Sequence, residues 1–154
     1  MMKTDYTALN RSLEALIKEV PHRTANLANA SALLFSSLDR INWAGFYFLS
    51  GDILVLDAFQ GKPACIEIPL GRGVCGTAAK SGETIVVPDV HLFAGHIACD
   101  SASQSEIVVP IKIDGEVVGV LDIDSPEKNR FDENDKSGLE KFVGILVKEM
   151  GGLL

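Results

Sequence analysis

An α+β fold, with helices packed on a mainly antiparallel sheet, is predicted by three observations. Apolar residues recur at steps of three and four through the first forty positions, the period turns strand-like at Asn42, and Asp114-Gly115 joins two strong strand patterns as a hairpin. The resulting order of helices, strands, connector, strands and a last helix points to hairpins rather than parallel crossovers. At 154 residues the chain fits one domain, 1–154, long enough to bury roughly two-thirds of its unfolded surface without a staple.

The elements follow in order. Tyr6, Leu9, Leu13, Leu16, Ile17 and Val20 form one helical stripe, which Pro21 stops. Thr24 is positioned to cap a second helix, whose packing face carries Leu27, Leu34, Phe35 and Leu38 with interleaved alanines. Residues 43–49 and 53–59 make a hairpin about Ser50-Gly51-Asp52, and 66–69 are a short extended piece. Gly71-Arg-Gly73-Val-Cys75-Gly76 reads as a tight turn opening a helix through Lys80, with a further strand at 85–88. The segment from Asp89 to Ser103 has no sustained period, and an aperiodic stretch of that length is commonly functional. Strands at 106–113 and 117–124 end at Ser125-Pro126, and the final helix presents Leu139, Phe142, Val143, Leu146, Val147 and Met150.

Bulk properties narrow the function. A net charge of −7 opposes binding to nucleic acid or an anionic membrane, so a small-molecule partner is expected. No apolar run approaches the ~20 residues that cross a bilayer, and the N-terminus has no signal-peptide pattern. A cytoplasmic location is expected, where thiols are kept reduced and cysteines serve catalysis or redox sensing more than permanent stapling.

Three cysteines, Cys65, Cys75 and Cys99, are the candidates for that chemistry. Cys65 and Cys99 sit in glycine- and proline-marked loop sequence, while Cys75 opens a helix whose backbone dipoles would lower its pKa. Position alone does not rank them. Asp122 and Asp124 leave one face of a strand, continuing the line of Val118 and Val120, and Glu106 opens the neighbouring strand. Carboxylates that extend a core-facing row must be paired, hydrogen-bonded or protonated. Trp43 and Tyr47, four apart, share a face and could wall an apolar pocket.

The histidines carry less. His91, His96 and Cys99 are ligand types, but the cysteines show no knuckle spacing, so no metal is expected. Hydrogen bonds from His91 and His96 to backbone in a long loop are the favoured reading, with a cysteine–histidine base pair as another. The glycines at 71, 73 and 76 lack the Lys-Ser/Thr of a phosphate loop.

Several segments together resemble the free methionine-(R)-sulfoxide reductases, which are GAF-domain enzymes: Asn42-Trp-Ala-Gly-Phe-Tyr47, Phe59-Gln-Gly-Lys-Pro-Ala-Cys65, Gly73-Val-Cys75-Gly, Val87-Pro-Asp-Val-His91, Gly95-His-Ile-Ala-Cys99-Asp, Ser105-Glu-Ile-Val-Val-Pro110 and Gly119-Val-Leu-Asp-Ile-Asp-Ser125. The resemblance spans the chain from the second helix to the last, and the cysteine spacings of ten and twenty-four match the family pattern. It implies a GAF domain with a roughly six-stranded antiparallel sheet flanked by helices and a ligand enclosed under connector loops. It also implies thioredoxin-dependent reduction of free L-methionine (R)-S-oxide, with Cys99 as nucleophile, Cys65 as resolving thiol and Cys75 as auxiliary. Glu106, Asp122 and Asp124 match the family's active-site acids, Trp43 and Tyr47 its pocket residues, and no cofactor is required. The expected cycle passes through a sulfenic acid and a Cys65–Cys99 disulfide, and the connector must move to close that bond. Crowded carboxylates would keep one acid protonated near neutral pH, with a slight preference for Asp124, while their field opposes thiolate formation at Cys99. The alternatives are a non-catalytic GAF small-ligand sensor and a thiol redox switch. Oligomeric state stays open, a homodimer included.

Overall fold

Asp5 starts the first helix, α1 (Tyr6–Ile17), by accepting a hydrogen bond from the Ala8 N–H, and Tyr6, Leu9, Leu13 and Ile17 are its buried stripe. The computed structural model describes residues 3–97, 99 and 101–154. α1 ends three residues before the predicted stripe does, because Glu19 adopts φ 60° and the residue before a proline avoids the helical region. Val20 therefore lies outside the helix, where its carbonyl accepts from the Asn26 side chain at 2.8 Å.

Helix α2 (Arg23–Ser37) corrects two further expectations. The His22 carbonyl accepts the first intrahelical bond, from Asn26 N–H at 3.0 Å, so His22 occupies the cap position and Thr24 lies inside the helix. Its buried face is Leu27, Ala30, Ser31 and Leu34, whereas Phe35 is 38% exposed, one residue's rotation away from that stripe. Ser31 Oγ donates to the carbonyls of Leu27 and Ala58, tying the helix to the sheet beneath it.

The sheet contains β1 (Trp43–Ser50), β2 (Ile53–Gly61), β3 (Glu67–Pro69), β4 (Ile85–Val87), β5 (Ser105–Ile113) and β6 (Glu116–Ser125). Its order is β3-β2-β1-β6-β5-β4, with every neighbouring pair antiparallel. Asp114 and Gly115 take φ 51° and 83°, the left-handed pair that the tight hairpin joining β5 and β6 requires. The remaining helices are α3 (Gly73–Ser81), between β3 and β4, and α4 (Glu133–Met150), after β6.

Each face of the sheet buries its own apolar cluster. One is covered by α1, α2 and α4 over Ala44, Phe46, Ile107, Leu121 and Ile123. The other lies under α3 and the connector, over Trp43, Tyr47, Val108 and Val120. A register shift between Ile111 and Lys112 reverses the alternation near the start of β6. Val118 consequently packs with the helical cluster and Val117 with the other, so Val118 does not share a line with Val120 and the two aspartates.

Candidate active site

Strand register builds the floor of the site. Glu106 on β5 and Trp43 on β1 both stand directly opposite Asp124 on β6, while Asp122 pairs with Val108 and Gly45. These positions face α3, so three carboxyl groups converge beneath it, two of them almost wholly buried at 5% for Glu106 and 6% for Asp122. Asp122 Oδ1 accepts no hydrogen bond among the described residues.

Gly73, at φ 60°, turns the chain into α3 and sets Cys75 in the first helical turn. The Cys75 thiol lies 4.0 Å from Glu106 Oε2, and donor atoms of Cys75, Glu106 and Asp122 all fall within 4.8 Å of one another. Burial, and then the charge of Asp124, pushes the Glu106 carboxyl well above its ordinary range. Burial, and then Glu106, does the same to Asp122. Cys75 is raised as well, by burial and by Asp122, Glu106 and Asp124. The expected lowering of Cys75 by helix dipoles is therefore corrected: desolvation beside three acids outweighs the ~0.5 charge of a helix end. To hold a metal ion, the donor set Cys75, Glu106 and Asp122 would have to give up its protons.

The aromatic wall is locked by its polar tips. Trp43 Nε1 donates to the Lys62 carbonyl at 3.1 Å and the Tyr47 hydroxyl to the Cys65 carbonyl at 2.9 Å. Trp43 also stacks between Tyr47 and Phe59, at centroid distances of 6.0 and 5.1 Å. The loop carrying Cys65 is thus held to the sheet by two side chains expected only to line a pocket.

The connector closes the other side. Asp89 caps a 3-10 turn at Val90–Leu92 and holds the exposed His91 ring at 3.1 Å, away from the acids. His96 instead turns inward, its side chain 16% exposed and its Nε2 3.6 Å from Glu106 Oε1. Both rings thus face carboxylates rather than the backbone partners expected. The inward turn of His96 was legible only as proximity to Cys99 in the chain. Cys99 is joined to Cys65 by a disulfide with Cα atoms 5.5 Å apart, and Cys75 is a free buried thiol. Ala98 and Asp100, which belong to the Cys99 motif, lie outside the described residues.

The enclosed cavity is about 50 Å³, and its lining brings together all eight sequence-predicted positions except Cys65. Pro63 and Ala64, adjoining Cys65, complete that wall, and Ser103 and Ile97 contribute to the connector side. At roughly 10–15 Å³ per water, the disulfide form has room for about three to five waters.

Comparison with known proteins adds to this geometry. The GAF domain model matches residues 10–148. The chain is 57% identical to protein YtsP of Bacillus subtilis over 148 residues, covering 95% of this chain and 91% of that protein. It is 52% identical to the free methionine-R-sulfoxide reductase of Escherichia coli over 149 residues, covering 96% and 90%. The solved substrate complex of fRMsr from Staphylococcus aureus superposes with a TM-score of 0.92 at 53% identity, covering 97% and 98% of the two chains.

Proposed function

We propose that this chain, which belongs to the GAF-domain family and to the free methionine-R-sulfoxide reductases within it, reduces free methionine-(R)-sulfoxide to methionine with Cys99 as nucleophile. The observation that carries this reading is a Cys65–Cys99 disulfide closing over a cavity floored by the buried carboxyl groups of Glu106 and Asp122.

Thiolate attack on a sulfoxide sulfur requires a proton for the departing oxygen. A carboxyl group at its reference pKa is protonated in only roughly one molecule in 500 at pH 7, so a raised pKa is the enabling property. Glu106 is our choice as donor over Asp124: it is the more deeply buried, and that burial, with the charge of Asp124 adding to it, holds its proton in place. Asp124 then receives the substrate ammonium beside the protonated Asp122, while the methyl group rests on Trp43 and Tyr47. The ammonium supplies positive charge that offsets the acids' field on the Cys99 thiolate.

Attack forms the Cys99 sulfenic acid and releases methionine. Cys65 condenses with the sulfenic acid to give the disulfide and water, which protects Cys99 from irreversible oxidation. An external dithiol, thioredoxin in this proposal, attacks the disulfide and restores both thiols. The cytoplasm, where thiols are kept reduced, suits this cycle. The small cavity of the disulfide form fits the end of a turnover, when the product has left; the reduced connector must open to admit substrate. A non-catalytic sensor would have no use for the disulfide.

The test is thioredoxin-coupled turnover of the free (R)-sulfoxide, the (S) epimer and a sulfoxide-containing peptide. Only the free (R) form is expected to be consumed efficiently, and equal rates on all three would overturn the assignment. In single turnover, Cys99→Ser should release no methionine and Cys65→Ser about one per chain.

A further inference from the structure

Among the described residues, His96 is the one basic group that lines the acidic cavity. It sits three residues before Cys99 on the same connector, and both side chains line that cavity. Its Nε2 is 3.6 Å from Glu106 Oε1, with the ring mostly shielded from solvent. The other titratable groups that line the cavity are Glu106 from β5, Asp122 and Asp124 from β6, the Cys75 thiol from α3 and the Tyr47 phenol from β1, with Cys99 held in its disulfide to Cys65. Nothing in the proposed reaction so far says where the thiol proton of Cys99 goes.

We propose that His96 is the acid–base relay between Cys99 and Glu106, taking the thiol proton of Cys99 and passing it to Glu106. The inference rests on the reductase reading and completes its proton balance. In the first step the substrate S–O bond breaks and a Cys99 S–O bond forms; the substrate sulfur gains two electrons and the cysteine sulfur loses them. The only hydrogen the sulfenic acid needs is one on its oxygen, and the thiol has lost one. A relay from Cys99 through His96 to Glu106 recycles that proton, so the step proceeds with no net exchange with solvent. It also places an imidazolium beside the nascent thiolate, against the field of the acids. Burial lowers the His96 pKa, so the ring starts neutral and ready to accept.

The experiment follows the rate of Cys99 alkylation by iodoacetamide against pH in the reduced full-length protein, read by peptide mass spectrometry, for the wild type, His96→Gln and His96→Ala. In the variants the alkylation profile should move up in pH, with the rate at pH 7 falling about 10-fold. Turnover of the free sulfoxide should fall about 100-fold in kcat with KM within about 3-fold, and added imidazole should restore part of the His96→Ala rate. Superimposable alkylation profiles, or a kcat unaffected in both variants, would overturn the proposal, and circular dichroism of each variant checks its fold. The alkylation arm uses no sulfoxide, so it reports on His96 even if the wild type fails to reduce the substrate, an outcome that would instead sink the reductase reading.

Discussion

Asp122 sets stability against chemistry. It is buried, its Oδ1 accepts no hydrogen bond among the described residues, and desolvation with Glu106 nearby raises its pKa. The folded chain therefore keeps a proton that the unfolded chain releases near pH 4, so stability falls as pH rises from there through the folded pKa. Asp122→Asn removes this penalty. We expect thermal stability at pH 8 to rise by about 1 kcal/mol, or about 2–4 °C in Tm, with a flatter Tm profile between pH 5 and 8. A drop in Tm at pH 8 would contradict the assignment of a protonated Asp122. Under the proposed reaction the same substitution weakens the acid cluster, so the more stable variant should be the slower enzyme.

At the scale of elements, the start of α4 joins two parts of the helical layer. Asp132 accepts from Asp135 N–H at 3.0 Å, and Asp135 returns the bond to Asp132 N–H at 2.9 Å, completing a capping box. Asp135 also accepts from the Tyr6 hydroxyl at 2.7 Å and from Arg130 at 3.2 Å, so one carboxylate anchors α1 and a guanidinium only 3% exposed. Asp132→Ala should cost about 1 kcal/mol, the usual loss of a cap. Asp135→Ala should cost more, about 3–5 kcal/mol, because it strips a buried ion-pair partner from Arg130, leaving Asp39 as its ion-pair partner among the described residues. Urea unfolding of the two variants compares them, and the reverse order would mean that the buried network is worth less than the cap.

At the scale of the molecule, the Cys65–Cys99 bond spans 34 residues and ties the β2–β3 loop to the connector across α3. A cross-link of that length constrains the unfolded chain by about 3–4 kcal/mol. Reduction should therefore lower the unfolding free energy by about 2–4 kcal/mol and speed hydrogen exchange across residues 89–104, measured on the same preparation before and after a dithiol. Equal stability and equal exchange in the two redox states would mean that the connector closes without the bond. For the proposed cycle this difference is useful, because the state that must admit substrate is the looser one.

Much of this protein is legible in the order of its residues because local periodicity is set by near neighbours in the chain. The switch at Asn42, the Asp114-Gly115 turn and the apolar stripe of α4 each depend on a few adjacent positions. Strand alternation likewise puts Asp122 and Asp124 on one face, and the cysteine motifs carry the family. The misplaced features depend on geometry that the local pattern does not record. A register shift took Val118 out of the aspartates' line, the first bond of α2 fell at His22 rather than Thr24, and Phe35 rotated off the buried stripe. The properties that matter most to the chemistry came from the tertiary fold alone. Whether Cys75 is acidified by a helix end or silenced by burial, and whether His96 faces the loop backbone or Glu106, depends on which residues distant in sequence converge and exclude water. Desolvation belongs to the assembled site, so no stretch of sequence carries it by itself.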